Sequence, residues 1–200
     1  MTLAAGAPTR EAGSENFPVA SRLIAPALRP RVLAFYRFVR AADDIADNAT
    51  LTAEDKLARL DAMERALDDP ATAEPLARPL HDCSAGTAEA RRMLDAFRQD
   101  ATQRRYRDWA ALESYCAASA QPVGRFLLRL HGEASPAAEQ AANALCTALQ
   151  VLNHLQDLVP DRDALDRIYL PLPWLALAGG EAGFFGPANA APRRAVLDAA

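Results

Sequence analysis

Cysteine is scarce in this chain: Cys83, Cys116 and Cys146 stand far apart, with no C-x-x-C pair. That spacing indicates neither a zinc site nor a disulfide framework, and three free thiols fit a reducing cytoplasm. A basic run is also missing. The 22 Lys and Arg residues against 26 Asp and Glu leave a net charge of −4, too mild and too mixed for a nucleic-acid surface. The opening "MTLAAGAPTREAGSENF" lacks an apolar core of signal-peptide length. The later "YLPLPWLALAGGEAGFFG" is cut by Pro171, Pro173 and a glycine pair, which excludes a membrane span. It suits the surface of a bilayer or the wall of an apolar cavity. No G-x-G-x-x-G fingerprint occurs, no segment alternates with period two, and there are no repeats or low-complexity linkers.

What is present is alanine and helical periodicity. Half of the 200 residues are hydrophobic, and alanine leads them. Pro30 suits the first turn of a helix carrying Val32, Leu33, Tyr36, Val39 and Ala42, with Asn48 at its end. Thr52 and Asp55 approximate a capping box before Leu57, Leu60, Met63 and Leu67. Residues 71–86 read as a short helix and loops. Ala90, Met93, Leu94, Phe97 and Ala101 mark a further helix, and Asp108 caps one with Leu112, Tyr115 and Cys116. Pro122 and Gly124 interrupt that helix before "RFLLRLHG", and Ser135-Pro136 opens a long one through "AAEQAANALCTALQVLNHLQD". The expected fold class is an all-α bundle in a single domain.

Two acidic runs break the apolar pattern. "AADDIAD" places Asp43 and Asp47 four apart on one helix face, where like charges cost roughly 0.2–0.5 kcal/mol per pair. In "QVLNHLQDLVPD", Gln150, Asn153, Asp157 and Asp161 fall on one side of a continuous helix, with Val151, Leu152, Leu155 and Leu158 covering the rest. One such acidic run is usually a solvated face. Arg40 would then simply pair with Asp43 or Asp44, and His81, His131 and His154 are surface or core residues. Two runs about a hundred residues apart in a helical chain fit another use. Facing carboxylates suit Mg²⁺, which takes oxygen ligands together with water and substrate phosphate. Tyr36 and Arg40, each one turn further back, point the same way and suit phosphate oxygens. The chemistry implied is loss of diphosphate, leaving a carbocation sheltered by an aromatic, apolar pocket.

The chain resembles the squalene/phytoene synthase family from about Glu15 to Pro171. The likeness rests on "YRFVRAADDIAD", "YCAASAQPVGRFLLRL" and "QVLNHLQDLVPDRDALDRIYLP". It implies the isoprenoid-synthase helical bundle around a central cavity, with Mg²⁺ on Asp43, Asp47, Asn153, Asp157 and Asp161. Tyr36, Arg40, Gln150, Gln156, Arg167 and Tyr169 match diphosphate or cavity positions, with Phe17 and Ser21 in the "ENFPVAS" segment. Tyr115 and Asp100 match residues along the reaction cavity, catalytic with Asp43, Asp47 and Asp157. "ENFPVAS", "DAFRQDATQRRY", the proline of "SAQPVG" and Gln156 are most similar to the bacterial hopanoid branch, the hydroxysqualene synthases. That branch implies presqualene diphosphate as substrate and water as the trap for the cation. Association with other squalene-pathway enzymes and a cytoplasmic location, peripheral at the inner membrane surface, follow from the same resemblance.

Three departures set further expectations. Pro160 lies between Asp157 and Asp161, where in a helix interior it removes a hydrogen bond and displaces Asp161 from the metal face. Gly13 stands where this branch commonly has histidine. Relatives also continue beyond the position of Ala200 with more helices, so the bundle is expected to lack C-terminal helices, with residues 1–14 flexible. The alternatives are a squalene or phytoene synthase proper and a non-catalytic relative. A phosphohydrolase reading of His81-Asp82 fails, because His131 and His154 both lie downstream.

Overall fold

The computed structural model describes residues 24–72, 74–186 and 190–199. Phe17, Ser21 and Gly13 lie outside the described residues. Helix α1 (Arg29–Ala46) carries Pro30 in its first turn and buries Val32, Phe35, Phe38, Ala41, Ala42, Ile45 and Ala46. Its acidic residues are therefore left on the opposite side. Helix α2 (Ala53–Asp68) is capped by Thr52, whose hydroxyl accepts from the Asp55 N–H at 3.1 Å. A 3₁₀ turn (Arg78–Leu80) leads into α3 (Ser84–Thr102), the central helix, which packs against α1, α2, α4 (Trp109–Ser119) and α5 (Gln121–Leu130). Asp108 caps α4 by accepting from the Ala111 N–H at 2.8 Å. The break between α4 and α5 falls at Ala120, and Pro122 sits in the first turn of α5, where a missing N–H costs nothing.

Helix α6 (Pro136–Gln156) starts under the cap of Ser135 and lies on α5 and α4. Two devices fix it there. A side chain at Gly124 of α5 would come within 2.8 Å of Cys146 Sγ, so glycine permits the close approach. Glu89 of α3, fully buried, accepts from Arg125 Nε (3.0 Å) and Arg129 Nη1 (2.6 Å), while Arg125 Nη1 donates to Asn143 Oδ1 of α6 at 3.2 Å. A charged trio thus sets where α6 sits.

Two expectations need correction. The polar stripe is not on one continuous helix: α6 ends at Gln156, Asp157 caps it, and α7 (Leu158–Leu165) begins anew. Pro160 is the reason. Here it occupies the first turn of α7, where its ring and absent N–H are tolerated. Strand pairing also occurs. β1 (Arg105–Tyr106) and β2 (Ile168–Pro171) form a short parallel pair, and the Ile168 N–H donates to the Arg104 carbonyl at 3.0 Å. Two and four residues are too few for a period-two pattern. Helices α8 (Leu172–Leu177), α9 (Gly180–Phe185) and α10 (Ala190–Ala199) follow. Leu145, Leu149 and Leu152 of α6 are 60%, 51% and 60% exposed. They form an apolar stripe turned away from α4 and α5.

Candidate active site

The burial pattern of α1 aims Asp43, Asp44 and Asp47 away from the core. Arg40 answers two of them, with Nη1 2.9 Å from Asp43 Oδ2 and Nη2 3.0 Å from Asp44 Oδ1. Tyr36, one turn earlier, is half-buried. Asp43 keeps 30% of its side-chain surface exposed. Its pKa is nevertheless pushed up to about 7, first by burial and then by Asp47, Asp100 and Asp44, with Arg40 opposing. The acids outweigh the cation beside them.

Asp47 ends α1 and is met by a residue 120 positions away: Arg167 Nη1 donates to Asp47 Oδ1 at 3.0 Å. Arg167 is 3% exposed, just before β2. It also donates to the Tyr169 hydroxyl (3.1 Å) and the Asp100 carbonyl (2.9 Å). Asp100, buried on α3, accepts from the Tyr115 hydroxyl at 2.8 Å and the Tyr169 hydroxyl at 2.9 Å. Burial lifts its pKa to about 6 against the pull of Arg167 and the two tyrosines. The hydroxyls of Tyr115 and Tyr169 are raised well above their ordinary range by burial, so both stay protonated as donors. Tyr106 stacks on Tyr169, with centroids 5.4 Å apart, and meets the edge of Tyr115 at 5.5 Å. The result is an acidic rim over an aromatic floor.

The second acidic run joins this rim unevenly. Asn153, Gln156 and Asp157 are exposed and Gln150 is half-buried. Asp161 is half-buried, and burial together with Asp157, Asp47 and Asp100 pushes its pKa up to about 6, against Arg167. Restarting the helix keeps Asp161 within reach of the field of Asp47.

Sequence reasoning missed two residues. His154 is buried and stacks on Tyr169 with centroids 3.6 Å apart, and its Nε2 meets no hydrogen-bond partner among the described residues. Burial, with Arg167 nearby, pushes its pKa down to about 3. Its sequence neighbours, Asn153 and Leu155, carried no such signal. Lys56 is 6% exposed on α2, and its ammonium donates to the Ala46 carbonyl at 2.7 Å. Its signal was legible: 56, 60, 63 and 67 lie on one helix face, and a charge among Leu60, Met63 and Leu67 needs a partner.

Mg²⁺ fits this donor set. Burial first, and then neighbouring acids, raise the pKa values of Asp43 and Asp161, so a cation is favoured there, and Mg²⁺ takes one or two carboxylates and completes its octahedron with water and phosphate. Among the described residues, no three His, Cys, Asp or Glu side chains gather closely enough to hold one ion alone. The residues thus suit an ion shared with a phosphate ligand.

A model of the squalene/phytoene synthase family matches residues 10–199. The chain belongs to the squalene/phytoene synthase family. It is 43% identical over 193 residues to a hydroxysqualene synthase of Zymomonas mobilis, covering 93% of this chain and 65% of that protein. To a hydroxysqualene synthase of Rhodopseudomonas palustris it is 45% identical, covering 89% of this chain and 62% of the relative. The crystal structure of squalene synthase HpnC from Alicyclobacillus acidocaldarius superposes with a TM-score of 0.80 at 31% identity, covering 94% of this chain and 73% of that one. The chain therefore spans a little under two thirds of the length of these two hydroxysqualene synthases. Family membership bears out the all-α bundle expected from the sequence.

Proposed function

We propose that this protein acts on presqualene diphosphate, releasing diphosphate and capturing the resulting cation with water to give hydroxysqualene. The observation that carries this reading is the link Asp47–Arg167–Asp100, which seats the acidic rim directly over Tyr106, Tyr115 and Tyr169. An ionisation site needs charge where the diphosphate leaves and polarisable rings where the cation remains. Identities of 43–45% to hydroxysqualene synthases support hydroxysqualene as the product.

In this reading Asp43, Asp47, Asn153, Asp157 and Asp161 would hold Mg²⁺. When bound, Mg²⁺ would neutralise charge developing on the departing diphosphate. Arg40, released from Asp43 and Asp44, would take diphosphate oxygens with Tyr36. Arg167 would keep Asp47 and Asp100 in register. The C–O bond to diphosphate breaks with its electron pair on the leaving group. The cyclopropylcarbinyl cation left behind rearranges with opening of its three-membered ring, as a ring C–C bond breaks and its electron pair fills the cationic centre. A water oxygen then forms the new C–O bond at the rearranged cation, and its proton passes to the released diphosphate. Gln150, Asn153 and Gln156 would position that water, and Phe17 and Ser21 would complete substrate binding. The exposed Leu172 and Leu177 support contact of the protein with an inner-membrane surface. No helix among the described residues is long and apolar enough to cross a membrane. We place its work in the cytoplasm beside other squalene-pathway enzymes.

The test is a product assay with presqualene diphosphate, Mg²⁺ and ¹⁸O-labelled water, without NADPH. Labelled hydroxysqualene is expected. Squalene formed only with NADPH would move the assignment to squalene synthase, and unconsumed substrate to a non-catalytic relative.

A further inference from the structure

The end of α1 holds the acid nearest Arg167, and there the Asp47 N–H donates to the Asp43 carbonyl at 2.9 Å and the Asn48 N–H to the Ile45 carbonyl at 3.3 Å, while the Ala46 carbonyl takes its donor from another helix. Helix α1 has no basic residue in its last turn. A carbonyl left unpaired there would be open to water or would need a donor from elsewhere. The donor comes from α2: Lys56 Nζ lies 2.7 Å from the carbonyl of Ala46, the residue immediately before Asp47. The bond is buried, and the Lys56 stem lies on the same face as Leu60 and Met63. A lysine in that place is costly. Burial, then Arg104 and Arg167, push its pKa down, while Asp47 and Asp100 pull it up. An apolar residue would fill the face without those penalties.

We propose that Lys56 is a positioning residue for the metal site: by capping α1 at Ala46 it fixes the backbone from which Asp47 reaches the ion. The inference rests on Asp43 and Asp47 binding a divalent cation, as proposed above. The Lys56 ammonium does not touch the ion. It sets the helix end, as the outer partners of metal ligands do elsewhere, where their loss costs about 10–100-fold in affinity. Simple electrostatics would act in the opposite direction, since removing a nearby cation would tighten binding of Mg²⁺. The sign of the effect therefore distinguishes the two roles.

The experiment is titration of the purified chain with Mn²⁺ at a fixed concentration of inorganic diphosphate, against a protein-free blank, with free Mn²⁺ followed by electron paramagnetic resonance. The parent is compared with Lys56→Met, Lys56→Arg and Leu67→Ala. Leu67→Ala weakens the same helix away from Ala46. Loss of about tenfold in Mn²⁺ affinity in Lys56→Met, recovered to within about threefold in Lys56→Arg and absent in Leu67→Ala, supports the role. Unchanged or tighter binding in Lys56→Met overturns it, as does equal loss in Leu67→Ala or no recovery in Lys56→Arg. If Lys56→Met does not fold, Lys56→Gln is read by the same criteria. A parent that binds no more Mn²⁺ than Asp43→Asn/Asp47→Asn refutes the metal reading itself, and this inference with it.

Discussion

His154 lies face to face with Tyr169, rings 15° from parallel and centroids 3.6 Å apart, beside the Asp100 that Tyr169 holds. The imidazole is neutral there, because burial and Arg167 depress its pKa from 6.5 to about 3. Between those values the unfolded chain binds the extra proton, so stability falls as pH drops from about 6.5 towards 3. His154→Phe keeps the stack and removes the proton. Its stability, measured by urea unfolding at several pH values, should fall less steeply over that window. An unchanged slope would place the imidazole outside the buried stack.

Asp43 works in the other direction. Its folded pKa of about 7 exceeds the 3.8 of a free Asp, so the folded state binds a proton more tightly. Stability is lost as pH rises from about 4 through 7, with burial first and then Asp47, Asp100 and Asp44 opposing the charge, and Arg40 supporting it. Asp43→Asn should be more stable than the parent above neutral pH by on the order of 1 kcal/mol, a figure reduced for the carboxylate's remaining contact with solvent. The same variant should lose Mg²⁺-dependent diphosphate release with its helical circular dichroism intact. Asp157→Asn should lose turnover in the same way.

Removal of Arg167 should be costly. Its guanidinium is the shared partner of Asp47, Asp100 and Tyr169 in a buried position. Arg167→Met leaves those groups uncompensated, and the loss should be about 3 kcal/mol in urea unfolding. A loss below about 1 kcal/mol would mean that the network is solvated.

The α6 stripe gives a test on the opposite face. Leu145, Leu149 and Leu152 present a contiguous apolar strip to solvent. The parent should bind a hydrophobic dye, and Leu149→Gln/Leu152→Gln should bind less of it while changing stability by less than about 0.5 kcal/mol. If the dye signal is unaffected, the strip is not what binds it.

The helices were legible because their signals are local. Thr52, Asp108 and Ser135 each cap the helix they precede, and the buried faces of α1 and α3 follow their 3.6-residue period. The acidic rim was legible as two motifs. Its geometry was not, because Arg167 and Asp47 meet only through the β1–β2 pairing and the packing of α3, and short strands leave no pattern in sequence. The restart at Asp157 was half visible: Pro160 announced a break, but a break and a new first turn look alike in one dimension. His154 was illegible for a different reason. Whether a histidine between Asn153 and Leu155 faces water or a tyrosine depends on a partner fifteen residues further on.

The reach of Arg167 to Asp47 has a consequence for the order of folding. The two residues stand 120 positions apart, so a long loop must be drawn in before that ion pair can form, and the entropy of closing it is lost before the contact returns anything. Helix α3 with α1 and α2 needs only nearer neighbours. The active rim should therefore be the last part of the molecule to assemble and the first to open. In a stopped-flow refolding experiment, tyrosine fluorescence from the Tyr115–Tyr169 cluster should lag behind the far-ultraviolet helical signal.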